Sequence, residues 1–271
     1  MEIGNFEKII EDKEIEQIAS SILKEEIEQI SRICEQWGEN EDEVREYNVY
    51  IITTASKKAI LKKTEKIESD IYTNYLSKGD FNVPHLYGSL KKDDDNWICI
   101  EMIEGDDLRD MTDEIALSAA KTLGCIQACF WTDDLECTTE DEVKGRFIKY
   151  WQRVLRRAQF LADKPVLRKA YQIFLDRQLT APCTLSNGDF LEFNAMFDGE
   201  KVVMIDWGFG GMMPYSLDIA RFIAHATETR CTFPFYMNDS QKELFLNEVY
   251  AGLKDKISYE QFRLYQVSFI K

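Results

Sequence analysis

The chain has 271 residues, 45% of them hydrophobic, which is enough apolar material for one large core or two lobes. Lysine and arginine number 33 against 49 aspartates and glutamates, a net charge of −16. That balance argues against nucleic acid as a partner, because a phosphate backbone demands a basic surface. Residues 5–31 carry Ile15, Ile18 and Ile22 at three- and four-residue spacing with Glu and Lys between, which predicts an amphipathic helix or helix pair. From Ile33 the period changes: 33–37, 47–53 and 58–62 read as strands, with turns at 38–42 and 54–57. A helix is predicted over 64–76. Strands at 86–90 and 97–101 follow, across the polar turn 91–96. After Gly105 the pattern is helical, at 113–130, 143–161, 166–179, 217–227, 240–253 and 258–270. The last helix is still periodic at Lys271, so the chain is either truncated there or ends on that helix. Cys125 and Cys129 share one helix face and read as core, since none of the seven cysteines shows zinc-type pairing. The odd cysteine count, with no leader segment and no apolar run of membrane length, points to a cytoplasmic protein without a membrane anchor.

One segment carries chemistry. Asn187-Gly188-Asp189 is followed by Asn194, and the apolar run Val202–Ile205 ends at Asp206-Trp207. Asp198-Gly199-Glu200-Lys201 is a hairpin turn signal between them. This places one carboxylate on a loop, an amide five residues on, and a second carboxylate at a strand end. Phosphoryl transfer from ATP needs that set: one carboxylate to orient and deprotonate an attacking hydroxyl, and an amide with a second carboxylate to hold the Mg²⁺ that bridges the phosphates. Asp189 is the candidate catalytic group, and Asn194 and Asp206 are the candidate metal ligands. An ordinary hairpin with polar loop residues is the competing reading; the apolar strand and Asp-Trp at this distance weigh against it.

The segment resembles the aminoglycoside phosphotransferase and choline kinase-like superfamily, a distant relative of protein kinases. Its pattern, His-Gly-Asp-x4-Asn, Ile-Asp-Trp/Phe, a Gly-rich turn and Asp-x-Ala, reads here as Asn187–Asn194, Ile205–Trp207, Gly208–Gly211 and Asp218–Ala220. The likeness runs from about residue 33 to 253 and is strongest in the C-terminal half. It implies an α+β, two-lobed protein-kinase-like fold, with a small five-stranded antiparallel sheet lobe and a larger, mainly helical lobe. The expected division is a helical extension over 1–32, a nucleotide-binding lobe over 33–104, and a helical lobe with catalytic loop and acceptor site over 105–271.

The resemblance also assigns roles. Lys62, in Ala59-Ile60-Leu61-Lys62, matches the lysine that binds nucleotide phosphates, and Glu68 on the next helix is the carboxylate to steady it, with Glu65 one turn earlier. The Glu101 carbonyl and Ile103 amide are the implied adenine contacts. Asn187 stands where the family has His and is expected to support the loop; Asn donates and accepts but is shorter and never charged. Asp218 is a structural buttress. The phosphate-covering loop, Gly38–Glu43, has one glycine and four acids, unlike a protein-kinase loop.

The implied activity is ATP- or GTP-dependent O-phosphorylation of a small molecule, with Mg²⁺ as cofactor, by a monomer or weak dimer. An aminoglycoside-type antibiotic is the first-ranked acceptor, since an acidic protein concentrates cations. Choline, another amino alcohol, a thiamine-like compound or a sugar is the alternative, and a catalytically dead nucleotide-binding regulator is the alternative from another class. Candidate acceptor contacts are Glu192, inside the loop, and Asp133 and Asp134 in the acidic run before Lys144. Those acids read either as an ammonium pocket or, more simply, as a solvated loop before a helix N-terminus. The basic helix face after it (Lys144, Arg146, Lys149, Arg153, Arg156, Arg157) is expected to pair with acids. Trp131, Trp151, Trp207 and Tyr215 are rings that an aromatic cage would need. His85 and His225 receive no catalytic role.

Overall fold

A computed structural model describes residues 4–36, 44–134, 140–161, 163–226 and 235–270. Two compact units divide the chain: one holds residues 1–80 and 84–103, the other 81–83 and 104–271.

The first unit is an antiparallel sheet of strands β1 (Gly4–Ile9), β2 (Gln29–Gln36), β3 (Val44–Thr53), β4 (Lys58–Thr64), β5 (Leu86–Lys92) and β6 (Asp95–Glu101), in the order β1-β2-β3-β4-β6-β5. Helices α1 (Lys13–Leu23) and α2 (Lys66–Asn74) complete it. The five expected strands correspond to β2 to β6. The sixth is a correction: the region expected as a helical extension over 1–32 holds a strand, one helix and the start of β2. Every residue of β1 is exposed, so side-chain periodicity gave no sign of it. Its order comes from backbone pairing with β2, Gly4 opposite Gln36 through Ile9 opposite Ser31. Helix α1 begins where the Asp12 carboxylate accepts from the amides of Glu14 (2.9 Å) and Ile15 (3.2 Å). It ends on Lys24 in the left-handed conformation, φ 59°. Its Ile15, Ile18 and Ala19 pack against Ile30, Tyr50, Ile52, Ala59, Leu61, Trp97 and Cys99 of the sheet. Strand alternation therefore turns Ala59 and Leu61 into this core and leaves Ile60 and Lys62 on the opposite face.

The second unit carries helices α3 (Asp113–Cys129), α4 (Glu142–Ala158), α5 (Pro165–Thr180), α6 (Ser216–His225), α7 (Asp239–Leu253) and α8 (Tyr259–Ile270). Among them run short strands: β7 (Asp106–Asp107), β8 (Cys183–Ser186), β9 (Ala195–Phe197), β10 (Val202–Met204) and β11 (Gly211–Pro214). The expected hairpin is β9–β10, extended by β7, and β8 pairs with β11. The segment 81–83 joins this unit through the Met204 amide, which donates to the Asn82 carbonyl at 3.0 Å. Cys125 and Cys129 lie on the exposed side of α3, not in the core. Among the described residues no helix is long and apolar enough to cross a membrane. The expected turn 38–42 and the end of the expected strand at Trp37 lie outside the described residues.

Candidate active site

The loop between β8 and β9 is held by its backbone amides. Asp218, in the first turn of α6, is fully buried and accepts from two consecutive amides, Asn187 at 2.7 Å and Gly188 at 2.9 Å. Burial pushes its carboxyl up to about 6, against the opposing pull of the Ser186 hydroxyl and these two amides. Gly188 takes φ 77°, and a Cβ there would lie 2.3 Å from the Phe209 carbonyl oxygen, so the family's glycine is required by both conformation and space.

Asn187 is buried and ties three segments. Its side-chain carbonyl accepts from the Asp189 amide at 3.2 Å, while its Nδ2 donates to the carbonyls of Ile205 (3.1 Å) and Asp206 (3.0 Å). The Asn194 Nδ2 donates to the Asp189 carbonyl at 2.7 Å and to its carboxylate at 3.2 Å. The Ile205 amide donates to the Asn194 carbonyl at 3.0 Å. Asp189, Asn194 and Asp206 are thus brought into one hydrogen-bonded cluster. Asp206 is exposed and sits at φ 53°, a backbone state that Asn and Asp tolerate best among residues with a Cβ and that gathers at functional sites. With its amide nitrogen spent on Asp189, Asn194 offers its carbonyl oxygen, and Asp206 offers a carboxylate. That is a hard oxygen set of the kind a divalent cation takes. Among the described residues no group of three or more His, Cys, Asp or Glu forms a metal site on its own.

Within the first unit, Lys62 Nζ lies 2.9 Å from the Glu68 carboxylate, and the Thr64 hydroxyl donates to the other Glu68 oxygen. Glu68 is buried, at 1% exposure, so the pair is held rather than solvated. Glu101 closes β6 and Ile103 lies two residues on, the last residue of this unit.

Matching of a family model decides the wider relationship: the phosphotransferase enzyme family matches residues 39–241. This chain belongs to that family. The phosphotransferase is also similar in structure to an aminoglycoside-3′-phosphotransferase of type VIII, at TM-score 0.52 and 16% identity, covering 88% of this chain and 93% of that one. A choline kinase from Cryptosporidium parvum Iowa II gives TM-score 0.53 and 14% identity over 89% and 78% of the two chains. An amicoumacin kinase in complex with AMP-PNP, Ca²⁺ and Ami gives 0.52 and 12% over 82% and 76%. Among curated proteins no sequence matches. The expected α+β kinase-like fold is the fold of these neighbours, with one strand more in the sheet than expected.

The candidate acceptor contacts fall elsewhere. Within the second unit a cavity of about 850 Å³ opens beside Gly188 and Asp189. Glu192, Asp133 and Asp134 are not among its lining residues. Glu192 is wholly buried; one oxygen lies 2.7 Å from His225 Nδ1, and burial pushes its carboxyl up, opposed by its own backbone amide and by His225. Asp133 accepts from the Trp131 indole at 3.1 Å on the surface, and at the far end of the acidic run Asp141 caps α4 by accepting from the amides of Val143 (3.0 Å) and Lys144 (3.1 Å); 135–139 lie outside the described residues, as does the loop 38–43. Of the rings considered for a cage, Trp207 and Tyr215 are fully buried, Trp131 packs on Tyr215 at 5.0 Å, and Trp151 stacks on Phe147. None of them lines the cavity. Apart from Gly188 and Asp189, the residues that do, Tyr150, Arg153, Arg157, Tyr171, Phe209 and Arg221 among them, were not singled out as site residues from the sequence. Arg221 pairs with Asp189.

Proposed function

We propose that this phosphotransferase moves the γ-phosphate of ATP or GTP to a hydroxyl group of a small molecule. The observation that carries the reading is the cluster in which Asn187 and Asn194 fix Asp189 and the Asp206 backbone relative to each other. Loop, hairpin and strand end are held by hydrogen bonds from the buried side chains of Asn187 and Asn194, and such preorganisation is what phosphoryl transfer asks of a protein.

In this reading Asp189 orients the acceptor hydroxyl and takes its proton. Arg221, now paired with Asp189, gives up that pairing or shares it when the hydroxyl arrives. Asn194 Oδ1 and the Asp206 carboxylate hold Mg²⁺, which supplies charge neutralisation at the phosphate oxygens. Lys62, steadied by buried Glu68, binds phosphate, and the Glu101 carbonyl and Ile103 amide meet the adenine edge. Asn187 and Asp218 support the loop. A polycationic antibiotic, ranked first from the sequence, meets three arginines around this cavity and, among the described residues, no acid but Asp189. The charge of the cavity therefore disfavours that class and, by the same argument, the cationic members of the alternative, choline and a thiamine-like compound; of the alternatives named, a sugar fits it best.

The test is ADP release with Mg-ATP and Mg-GTP across a panel of alcohols, amino alcohols, sugars and aminoglycosides. Stimulation by one acceptor, lost by about 10²–10⁴ in Asp189→Ala and abolished in Asp206→Ala, is expected. Full turnover in Asp189→Ala refutes the assignment. Mg²⁺-dependent nucleotide binding with no turnover on any acceptor favours a regulator.

A further inference from the structure

We infer that the acceptor carries an anionic group, a carboxylate or a phosphate, on an apolar or aromatic body. The inference rests on the reading of Asp189 as the group that receives the acceptor hydroxyl. Acids outnumber bases 49 to 33 in the whole chain, yet the cavity beside Asp189 reverses that balance. Arg153, Arg157 and Arg221 line it, and among the described residues Asp189 is the one carboxylate in its lining.

The arginines differ in their partners. Arg221 is paired with Asp189. Arg146, on the same helix as Arg153 and Arg157, reaches the carbonyls of Gly208 and Phe209, each at 3.3 Å. Arg153 and Arg157 have no ion pair or hydrogen bond among the described residues, contrary to the expectation that this basic face is neutralised by acids. They stand four residues apart on α4, so their guanidinium groups share one face. Like charges at that spacing oppose the helix. An arriving anion removes the repulsion, and a guanidinium pair offers the forked donors that carboxylate and phosphate oxygens accept.

The rest of the lining sets the body of the molecule. Tyr150, Tyr171, Phe174 and Phe209 contribute rings, and Leu161 and Leu167 add aliphatic surface. The hydroxyl of Tyr150 is engaged with Gln178 at 3.0 Å and that of Tyr171 with the Val154 carbonyl at 2.7 Å, so these two tyrosines are spent as polar groups and serve as walls. The volume, about 850 Å³, is that of a site for a drug-sized ligand. An acceptor anchored by its anion at Arg153 and Arg157 presents its hydroxyl at Asp189. A cation in this space is repelled by the same groups.

The experiment measures binding directly, by calorimetry on the full chain, with 3-phenyllactate, phenyl phosphate, the methyl ester of 3-phenyllactate, and choline as probes. The expected result is that 3-phenyllactate or phenyl phosphate binds at least about tenfold more tightly than the ester and choline. Which of the two prevails tells carboxylate from phosphate. In Arg153→Gln/Arg157→Gln the preference disappears, at about tenfold lost per arginine, while Mg-ATP binding is unchanged. Equal affinity for acid and ester, tighter binding of choline, no binding of either anion, or an anion preference that survives in the double variant overturns the inference. Loss of Mg-ATP binding in the double variant also overturns it, by assigning the arginines to the nucleotide. The phosphotransfer reading is tested separately with Asp189→Ala. An arginine-dependent anion site in a protein that turns over no acceptor leaves the cavity assignment standing and removes the reaction.

Discussion

Asn187 donates its side-chain amide to the Asp206 carbonyl at 3.0 Å, so the first residue of the catalytic-loop motif supports the strand end that presents the candidate metal ligand. The same amide holds the Ile205 carbonyl, and the side-chain oxygen receives the Asp189 amide. At the position where the motif that this segment resembles has an imidazole, a shorter group without charge makes these three bonds. Asn187→Ala removes all three part-buried bonds together, at a cost of roughly 0.5–1.5 kcal/mol for each. The expected outcome is a lower thermal midpoint and a kcat loss that exceeds any change in nucleotide KM. Asn187→Asp keeps the acceptor and aims a carboxylate at two carbonyl oxygens, so it should be worse than alanine in stability. A variant of either kind with unchanged midpoint and kcat would remove Asn187 from its supporting role.

The Lys62–Glu68 pair makes a different prediction, because its two members are unequally exposed: the Lys62 side chain is 20% accessible and that of Glu68 2%. Removing the lysine strands a carboxylate that water cannot reach well, a loss that typically costs ~3–5 kcal/mol. Lys62→Met is therefore expected to destabilise the protein more than Glu68→Gln, and the double variant is expected to recover part of the loss. Equilibrium denaturation of the four proteins forms the cycle. Additive losses would show that the pair is not coupled in stability. For function, Glu68→Gln should raise nucleotide KM by about tenfold if the carboxylate aims the lysine at phosphate, since one such factor corresponds to ~1.4 kcal/mol.

What could be read from the sequence follows physical lines. That Asp189, Asn194 and Asp206 come together was legible because the chemistry proposed for them would need fixed spacing on a loop and strand end, and glycines and a turn signal mark the backbone around them. The longer helices and the strands β2 to β6 were legible because they carry runs of apolar residues that pack against a core, with turn residues between them. β1 was not, since both of its faces are exposed and it is held by backbone pairing with β2 and an exposed Lys8–Glu46 ion pair. β7 and β11, of two and four residues, are too short to show a period. Arg153 and Arg157 were visible only as the polar face of α4. Their place beside Asp189 depends on α5, α6 and Phe209 meeting α4 from distant parts of the chain. His225 had no partner in sequence reach because Glu192 lies 33 residues away.

Asp218 gives stability a pH dependence whose sign is fixed by its raised carboxyl. An unfolded Asp titrates near 3.8 and the folded one at about 6. Between those values the folded state binds the proton more often, so stability falls as pH rises through that window and levels off above it. The full contribution is roughly 3 kcal/mol. Other carboxylates titrate in the same range, so the measurement is the difference between the native protein and Asp218→Asn, by urea denaturation from about pH 4 to 7. The stability advantage of the native chain should be largest at the acid end and shrink toward neutrality. At neutral pH the native chain still holds two loop amides that a neutral Asn cannot accept from with both of its side-chain atoms, so kcat should fall in the variant even where stability has converged. A difference that is flat across this range would mean that the buried carboxylate does not titrate as its burial implies.

Two glycines with similar backbone angles separate conformational strain from steric exclusion. Gly188 has φ 77° and Gly199 has φ 94°, both unfavourable for a residue with a Cβ. A Cβ at Gly199 meets nothing within 4 Å, whereas one at Gly188 lies 2.3 Å from the Phe209 carbonyl oxygen and 2.9 Å from the Met213 side chain. Gly199→Ala should cost only the left-handed penalty of about 1–2 kcal/mol, with kcat intact, because the β9–β10 turn carries no proposed ligand. Gly188→Ala pays the same penalty and must also push the loop away from the Phe209 backbone, which displaces Asp189 directly. A displacement near 1 Å at a reacting group costs on the order of 10²-fold in rate, so kcat should drop by about that factor even at a temperature where the variant is fully folded by circular dichroism. Equal losses in the two alanine variants would mean that strain alone, and not the approach of Phe209 to the loop, explains the glycine of the motif.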